Sequence, residues 1–233
     1  MEPHETAHPR GGRSPLAVFC DFDGTFSLQD VGATLAERHR GHLRPRAWAR
    51  YARGEISAWD YNLEVLDGLP VPPAELDRFL GSIELDPGAR DLVAWCEERG
   101  VPFRILSDGF DYNLEKLQQI HGLRFAYDAN RLRFEDGVWR IAGAHPNPGC
   151  GCGTGTCKRG RIEAFRRERP GVAIAHIGNG RVSDLCGALA ADVAFAKGSL
   201  AEALGARGHA YVPFATLADV IPRLEELLGA GDP

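Results

Sequence analysis

The stretch Leu16-Ala17-Val18-Phe19-Cys20-Asp21-Phe22-Asp23-Gly24-Thr25 constrains the fold more than any other part of the chain. Its first half is an apolar run of strand length. It stops at two acids separated by one apolar residue, followed by Gly and Thr. Successive side chains of a strand point to opposite faces, so Asp21 and Asp23 share a face if the strand runs on. Gly24 lets the chain leave the sheet sharply and brings backbone close to a ligand. A polar turn accounts for one Asp. Two acids at the carboxyl end of a central strand are costly without a cation. The pair therefore predicts a divalent metal and chemistry at that strand end.

The chain that follows alternates. Strands are expected at 101–106, 123–127, 172–177, 192–196 and 210–214, with a hairpin signal at Glu135-Asp136-Gly137. Helices are expected at 87–99, 110–121, 157–168, 183–190 and 215–228. Residues 28–83 have helical character throughout, with a first helix carrying Leu28, Val31 and Leu35. Ser57 is read as a cap, and Pro72-Pro73 opens a further helix. That block is too long for a loop. The pattern predicts an α/β chain with a parallel sheet covered on both faces. Three segments follow: a flexible tail at 1–15, a core from 16–27 and 84–233, and a helical module at 28–83. In such sheets ligands bind beyond the carboxyl ends of the strands, where the polar clusters after Phe19, Leu106 and Ile177 lie.

Composition excludes some functions. A net charge of −5 over 233 residues gives no reason to expect nucleic acid or an anionic membrane as partner. No apolar run approaches the roughly 20 residues of a membrane span, and the polar N-terminal stretch does not read as a secretory signal. A cytoplasmic, reduced setting is expected for the six Cys, in a monomer or homodimer.

The remaining clusters leave alternatives open. Ser107-Asp108-Gly109 fits either a turn after a strand or a phosphate contact through hydroxyl and backbone N–H groups. Lys158 opens a basic helix, where helix N-terminus and ammonium both favour an anion. Arg159 and Arg161 beside it read as surface residues. Cys150, Cys152 and Cys157 fall within eight residues, with His145 nearby. They fit a structural Zn²⁺ site, three reduced thiols or a reversible disulfide. In the helical module, Trp48, Tyr51, Trp59 and Tyr61 accompany Arg44, Arg46, Arg50 and Arg53. They form either a lid over an organic group or, the preferred reading, core aromatics with a solvated basic face.

Asp21-Phe22-Asp23-Gly24-Thr25 resembles the signature of the haloacid dehalogenase superfamily, most of whose members are phosphatases. Ser107, Lys158 and Gly178-Asn179-Gly180-Arg181-Val182-Ser183-Asp184 resemble its second, third and fourth motifs, in order. The resemblance implies a Rossmann-like core with a small helical cap inserted after the first strand, as in the phosphoserine-phosphatase-like branch. It implies Mg²⁺, with Asp21 as nucleophile and Asp23 as general acid and base. It assigns Thr25, Ser107, Asp108, Gly109 and Lys158 to phosphate, and Asp21, Asp23, Asn179 and Asp184 to the metal. The expected substrate is a small phosphorylated metabolite. Asn179 departs from the pattern, because an amide stands where an acid is usual. That leaves a phosphotransferase or phosphomutase, or a weakened phosphate-binding relative, beside the phosphatase. The Cys-rich run and Ser107-Asp108-Gly109-Phe110-Asp111 also resemble a narrower branch. It comprises phosphatases similar to the methionine-salvage enzyme acting on 2-hydroxy-3-keto-5-methylthiopentenyl-1-phosphate.

Overall fold

The computed structural model describes residues 16–229, so the expected tail at 1–15 lies outside the described residues. Strand β1, Leu16–Cys20, is buried at all five positions. Its alternation divides the core. Leu16, Val18 and Cys20 join the large cluster with α5 (Ala89–Glu98), which supplies Leu92, Val93 and Trp95. Ala17 and Phe19 point the other way, onto Ile162, Ile174 and Leu106. A strand apolar on both faces belongs in the middle of a parallel sheet. It pairs in parallel with β2, Phe103–Phe110, on one side and β5, Ala173–Gly178, on the other. With β3 (Ala126–Glu135), β4 (Val138–Ala142), β6 (Val193–Ala196) and β7 (Val212–Pro213), the seven-stranded order is β4-β3-β2-β1-β5-β6-β7. Every pairing is parallel except the β3–β4 hairpin at one edge.

Four helices occupy the expected module: α1 (Val31–Arg40), α2 (Arg44–Ala52), α3 (Ala58–Leu66) and α4 (Pro73–Leu80). Asp30 caps α1, accepting from the Ala33 N–H at 2.7 Å. Ser57 and Asp60 cap α3 reciprocally. Leu28 stays outside α1, exposed, because residues 27 and 28 pair instead with the returning chain. The chain leaves and re-enters the core side by side there: Leu28 N–H donates to Glu84 at 2.9 Å and Asp86 N–H to Phe26 at 2.9 Å. A second tie joins the module to the edge hairpin. Trp139 exchanges backbone hydrogen bonds with Gly68 and Leu69 at 2.7 and 2.9 Å, and its indole N–H donates to the Val71 carbonyl at 2.8 Å.

Element boundaries differ from expectation in physically explicable places. The strand expected at 123–127 starts at Ala126 and runs unbroken to Glu135. Asp128 and Asn130 are polar yet buried within it, and their partners come from outside the strand. After α6 (Asp111–His121) and α7 (Lys158–Glu168), the helix expected at 183–190 contracts to α8, Leu185–Ala188. An unforeseen α9, Gly198–Gly205, packs Leu200 and Leu204 against Ala194 and Ala196. The last helix, α10 (Ile221–Gly229), is preceded by a short 3₁₀ turn.

Candidate active site

The carboxyl ends of β1, β2 and β5 meet at one point. Asp21 N–H donates to the Ile177 carbonyl at 2.8 Å, carrying the β1–β5 ladder to the brink of the site. Beyond it the chain turns within Phe22–Phe26, with Gly24 at φ 75°, a conformation that strains other residues. A Cβ there would also stand 2.4 Å from the Asn179 amide nitrogen. The two loops can approach only because position 24 is glycine.

Lys158 opens α7 fully buried. Its ammonium donates to Asp21 and, at 2.5 Å, to Asp184 Oδ1. Burial alone would lower this lysine's pKa; the Asp184 and Asp21 charges reverse that and hold it above the usual lysine range. Asp184 is also fully buried, which favours its neutral form, but Lys158 and His176 outweigh burial and keep it ionised. Its second oxygen accepts from the N–H groups of Asn179 and Gly180 at 3.1 and 2.8 Å. A Cβ on Gly178 would lie 2.5 Å from the Asp184 carboxyl carbon. Burial and the Asp184 charge push Asp21 up to about 7, against the pull of Lys158. Asp23 is raised by its surroundings, then by Asp30 and Asp21, although the Val31 N–H donates to it at 2.8 Å. Ser107, buried within β2 where its register shifts after Leu106, faces Asp23 at 3.4 Å and accepts from Gly109 N–H at 2.8 Å.

Thus Asp21, Asp23, Thr25, Ser107, Gly109, Lys158, Asn179 and Asp184 gather as the sequence placed them, with Thr25 buried in the Asp21 loop. Asp108 is a correction: it lines the cleft, but its carboxylate is taken up by the protein's own donors. It accepts from Asn130 at 2.9 Å, from Thr156 N–H at 3.0 Å and from Asn62 of α3 at 3.5 Å. Burial lifts it to about 6 against these donors. A carboxylate already holding such donors has little to offer a phosphate, which it would repel.

His145 is a second correction. It lies 3.6 Å from Asp128, outside the cysteine group. The sulfurs of Cys150, Cys152 and Cys157 meet that of Cys186 instead. Arg161 also departs from the surface reading, pairing with Asp128 at 3.1 Å.

Sequence reasoning missed His176. It is fully buried on β5, with Nε2 3.2 Å from Asp184 Oδ1. Burial lowers its pKa despite Asp184, so the ring is neutral and Nε2–H donates. The available signal was one imidazole in the otherwise apolar run Ala173-Ile174-Ala175-His176-Ile177.

Above the charged floor opens a cleft of about 460 Å³. Its wall is the module: Trp48, Tyr51 and Tyr61, with ring centroids 5.5–6.2 Å apart, together with Asn62 and Val65. These three aromatics line the cleft, Tyr61 also packing on the core cluster, whereas Trp59 packs on that cluster without lining the cleft. Arg44 pairs with Glu37, Arg50 with Glu64 and Arg53 with Glu55. Among the described residues lining the cleft, none is Lys, Arg or His; Arg181 is exposed and acts on Tyr51 from outside that lining.

Comparison with known proteins agrees with this geometry. The family model described as haloacid dehalogenase-like hydrolase matches residues 18–189. A 2-hydroxy-3-keto-5-methylthiopentenyl-1-phosphate phosphatase of Geobacillus kaustophilus is 29% identical over 223 residues, covering 91% of this chain and 96% of that protein. A phosphoserine phosphatase of Archaeoglobus fulgidus is 31% identical over 147 residues, 61% of this chain; the chain spans only 40% of that relative's length. Among solved structures, phosphoserine phosphatase from T. onnurineus superposes with a TM-score of 0.65 at 18% identity, over 91% of this chain and 96% of that one. The α/β fold, with its mostly parallel sheet, is shared with that enzyme. No described helix is long and apolar enough to cross a membrane.

Proposed function

We propose, for a chain that belongs to the haloacid dehalogenase-like hydrolase family, that the site is a Mg²⁺-dependent phosphomonoesterase working through an aspartyl-phosphate. The observation that carries this reading is the convergence of Asp21, Asp23 and Asp184 around the single ammonium of Lys158. Three carboxyl groups gathered at one buried ammonium form an oxygen-rich set that a hard divalent cation fits. Asp21, Asp184, the Asn179 amide oxygen and the Asp23 carbonyl would hold it. Bound there, Mg²⁺ supplies positive charge to the phosphoryl oxygens.

The residues do the rest. Asp21 attacks phosphorus, forming an acyl-phosphate bond as the ester oxygen leaves. Asp23, whose carboxyl is pushed up by burial and by the Asp30 and Asp21 charges, gives a proton to that oxygen. Asp23 then takes a proton from water as water attacks phosphorus, which frees phosphate and restores the Asp21 carboxylate. Lys158 holds Asp21 in place and balances charge on the phosphoryl group. The Ser107 hydroxyl, which faces Asp23, would donate to a phosphoryl oxygen.

The wall indicates the substrate class. A carboxylate-bearing substrate such as phosphoserine calls for a cation in the lining, and the described lining has none. Three aromatic rings suit an uncharged, partly apolar organic group. That matches the substrate named for the relatives that cover over 90% of this chain. The test is phosphate release from 2-hydroxy-3-keto-5-methylthiopentenyl-1-phosphate and from phosphoserine, with Mg²⁺ and with EDTA. We expect Mg²⁺-dependent release and at least a tenfold preference in kcat/KM for the former. Preference for phosphoserine would overturn the substrate class. Transfer of phosphate to an acceptor in place of release would identify a phosphotransferase. Binding without turnover would identify a silent relative.

A further inference from the structure

The cysteine group is separate from the phosphate chemistry, and nothing in the reaction uses it. Three of its members come from one loop and the cap of α7; the fourth comes from α8. Their four sulfurs all lie within 4.8 Å of one another, and none is in a disulfide. Zinc–thiolate bonds of about 2.3 Å place tetrahedral sulfurs about 3.8 Å apart. Shifts of roughly 1 Å in the side chains close the present arrangement onto one ion. Cys150 and Cys157 are buried and Cys152 and Cys186 are half-buried, as a closed structural site requires.

The surroundings suit anionic sulfur. Gly160 N–H donates to the Cys157 sulfur at 3.4 Å, at the positive end of the eleven-residue helix α7. The Thr154 hydroxyl lies 3.2 Å from the Cys152 sulfur. Outer contacts of this kind orient metal ligands. We propose that Cys150, Cys152, Cys157 and Cys186 bind one structural zinc ion. Binding replaces the thiol protons, which pass to solvent. The ion joins Cys157, whose neighbour is Lys158, to Cys186, two residues beyond Asp184. It thereby staples the two arms whose side chains meet at 2.5 Å in the floor of the site.

The full chain, purified reduced and without chelator from zinc-supplemented cells, is expected to carry about one zinc per chain. A mercurial thiol reagent should release that zinc in step with titration of four thiolates. Cobalt in its place should show sulfur-to-metal charge transfer and tetrahedral ligand-field bands. His145→Ala should keep the zinc, and Cys186→Ser should bind it at least tenfold more weakly in chelator competition. Where Cys186→Ser fails to fold, the metal content and thiol titration of the unaltered chain decide. The proposal is overturned by less than a tenth of a zinc per chain, or by a mass deficit of two hydrogens marking a disulfide. Equal loss of zinc in His145→Ala and Cys186→Ser would also overturn the ligand set.

Discussion

Lys158 and Asp184 form the floor of the cleft at 0% exposure, while Trp48, half of it in solvent, forms part of the wall. Floor groups are locked by sheet register, by glycines that allow close approach and by each other's charge. Wall groups sit on helices tied to the core by the crossing at Ser27–Leu85, by the pairing at Leu69–Trp139 and by single contacts such as Asn62–Asp108. The contrast teaches where each property resides. Reactivity needs fixed charges in a dry setting, whereas selectivity among organic groups needs a surface that varies without disturbing them.

The comparison breaks most visibly at Asp21. Asp21→Asn should cut turnover by roughly 10⁴-fold or more, as loss of a nucleophile does, while near-ultraviolet circular dichroism stays unchanged. Residual turnover near normal would mean the floor is not nucleophilic. Lys158→Met removes the one ammonium between Asp21 and Asp184. Breaking such a buried pair should cost about 3–5 kcal/mol in urea denaturation. A loss under 1 kcal/mol would show that the floor is not charge-locked.

Asp108 sits where floor and wall meet, through its contact with Asn62 of α3. Its pKa rises from 3.8 to about 6 in the fold. The folded state therefore holds this proton more tightly, and the associated stability is present below pH 4 and lost as pH rises through 6. Two units correspond to about 3 kcal/mol. Asp108→Asn should flatten that part of the pH–stability curve; an unchanged slope would remove Asp108 as its source.

Smaller effects belong to the wall and to the metal shell. Trp48→Ala should raise KM roughly tenfold for an apolar phosphomonoester, with kcat within about twofold and phosphoserine unaffected. A fall in kcat without a change in KM would make the wall part of the reacting centre. Asn179→Asp should lower the Mg²⁺ half-saturating concentration a few-fold by adding ligand charge. Turnover at saturating metal should not rise, because the new carboxylate repels Asp21 and the phosphate. No shift in the titration would take Asn179 out of the metal shell.

The part of the floor formed by Asp21, Ser107 and Asn179 was legible because these residues end apolar strand runs, a local pattern that parallel topology brings together. Asp21, Ser107 and Asn179 are far apart in sequence, yet each follows such a run. What escaped depended on contacts with no local signature. Asp108 looked like a phosphate ligand because the pattern does not show that Asn130 and Thr156 both donate to its Oδ1. Cys186 has no local signature that links it to the others, and the packing of α8 on α7 carries it to the other three sulfurs. His145 was nearer in sequence but faces Asp128. The module aromatics divided for the same reason: helical periodicity alone does not separate Trp48 on the cleft from Trp59 on the core.

The central place of β1 bears on how the chain emerges from the ribosome. About 150 residues separate its last residue, Cys20, from β5, which begins at Ala173. At about 5–20 residues per second, translation takes on the order of 10 s to deliver that second neighbour. Through that interval a five-residue apolar strand has one edge open, and Asp21 is hydrated and ionised beside it. Lys158 and Asp184 arrive within 26 residues of each other, and Lys158 follows Asp21 by 137 residues. Asp21 is thus sealed away from water only after Lys158 and Asp184 have been made. A nascent chain halted between the two should be a client for chaperones that shield open strands, and one halted after β5 should release them.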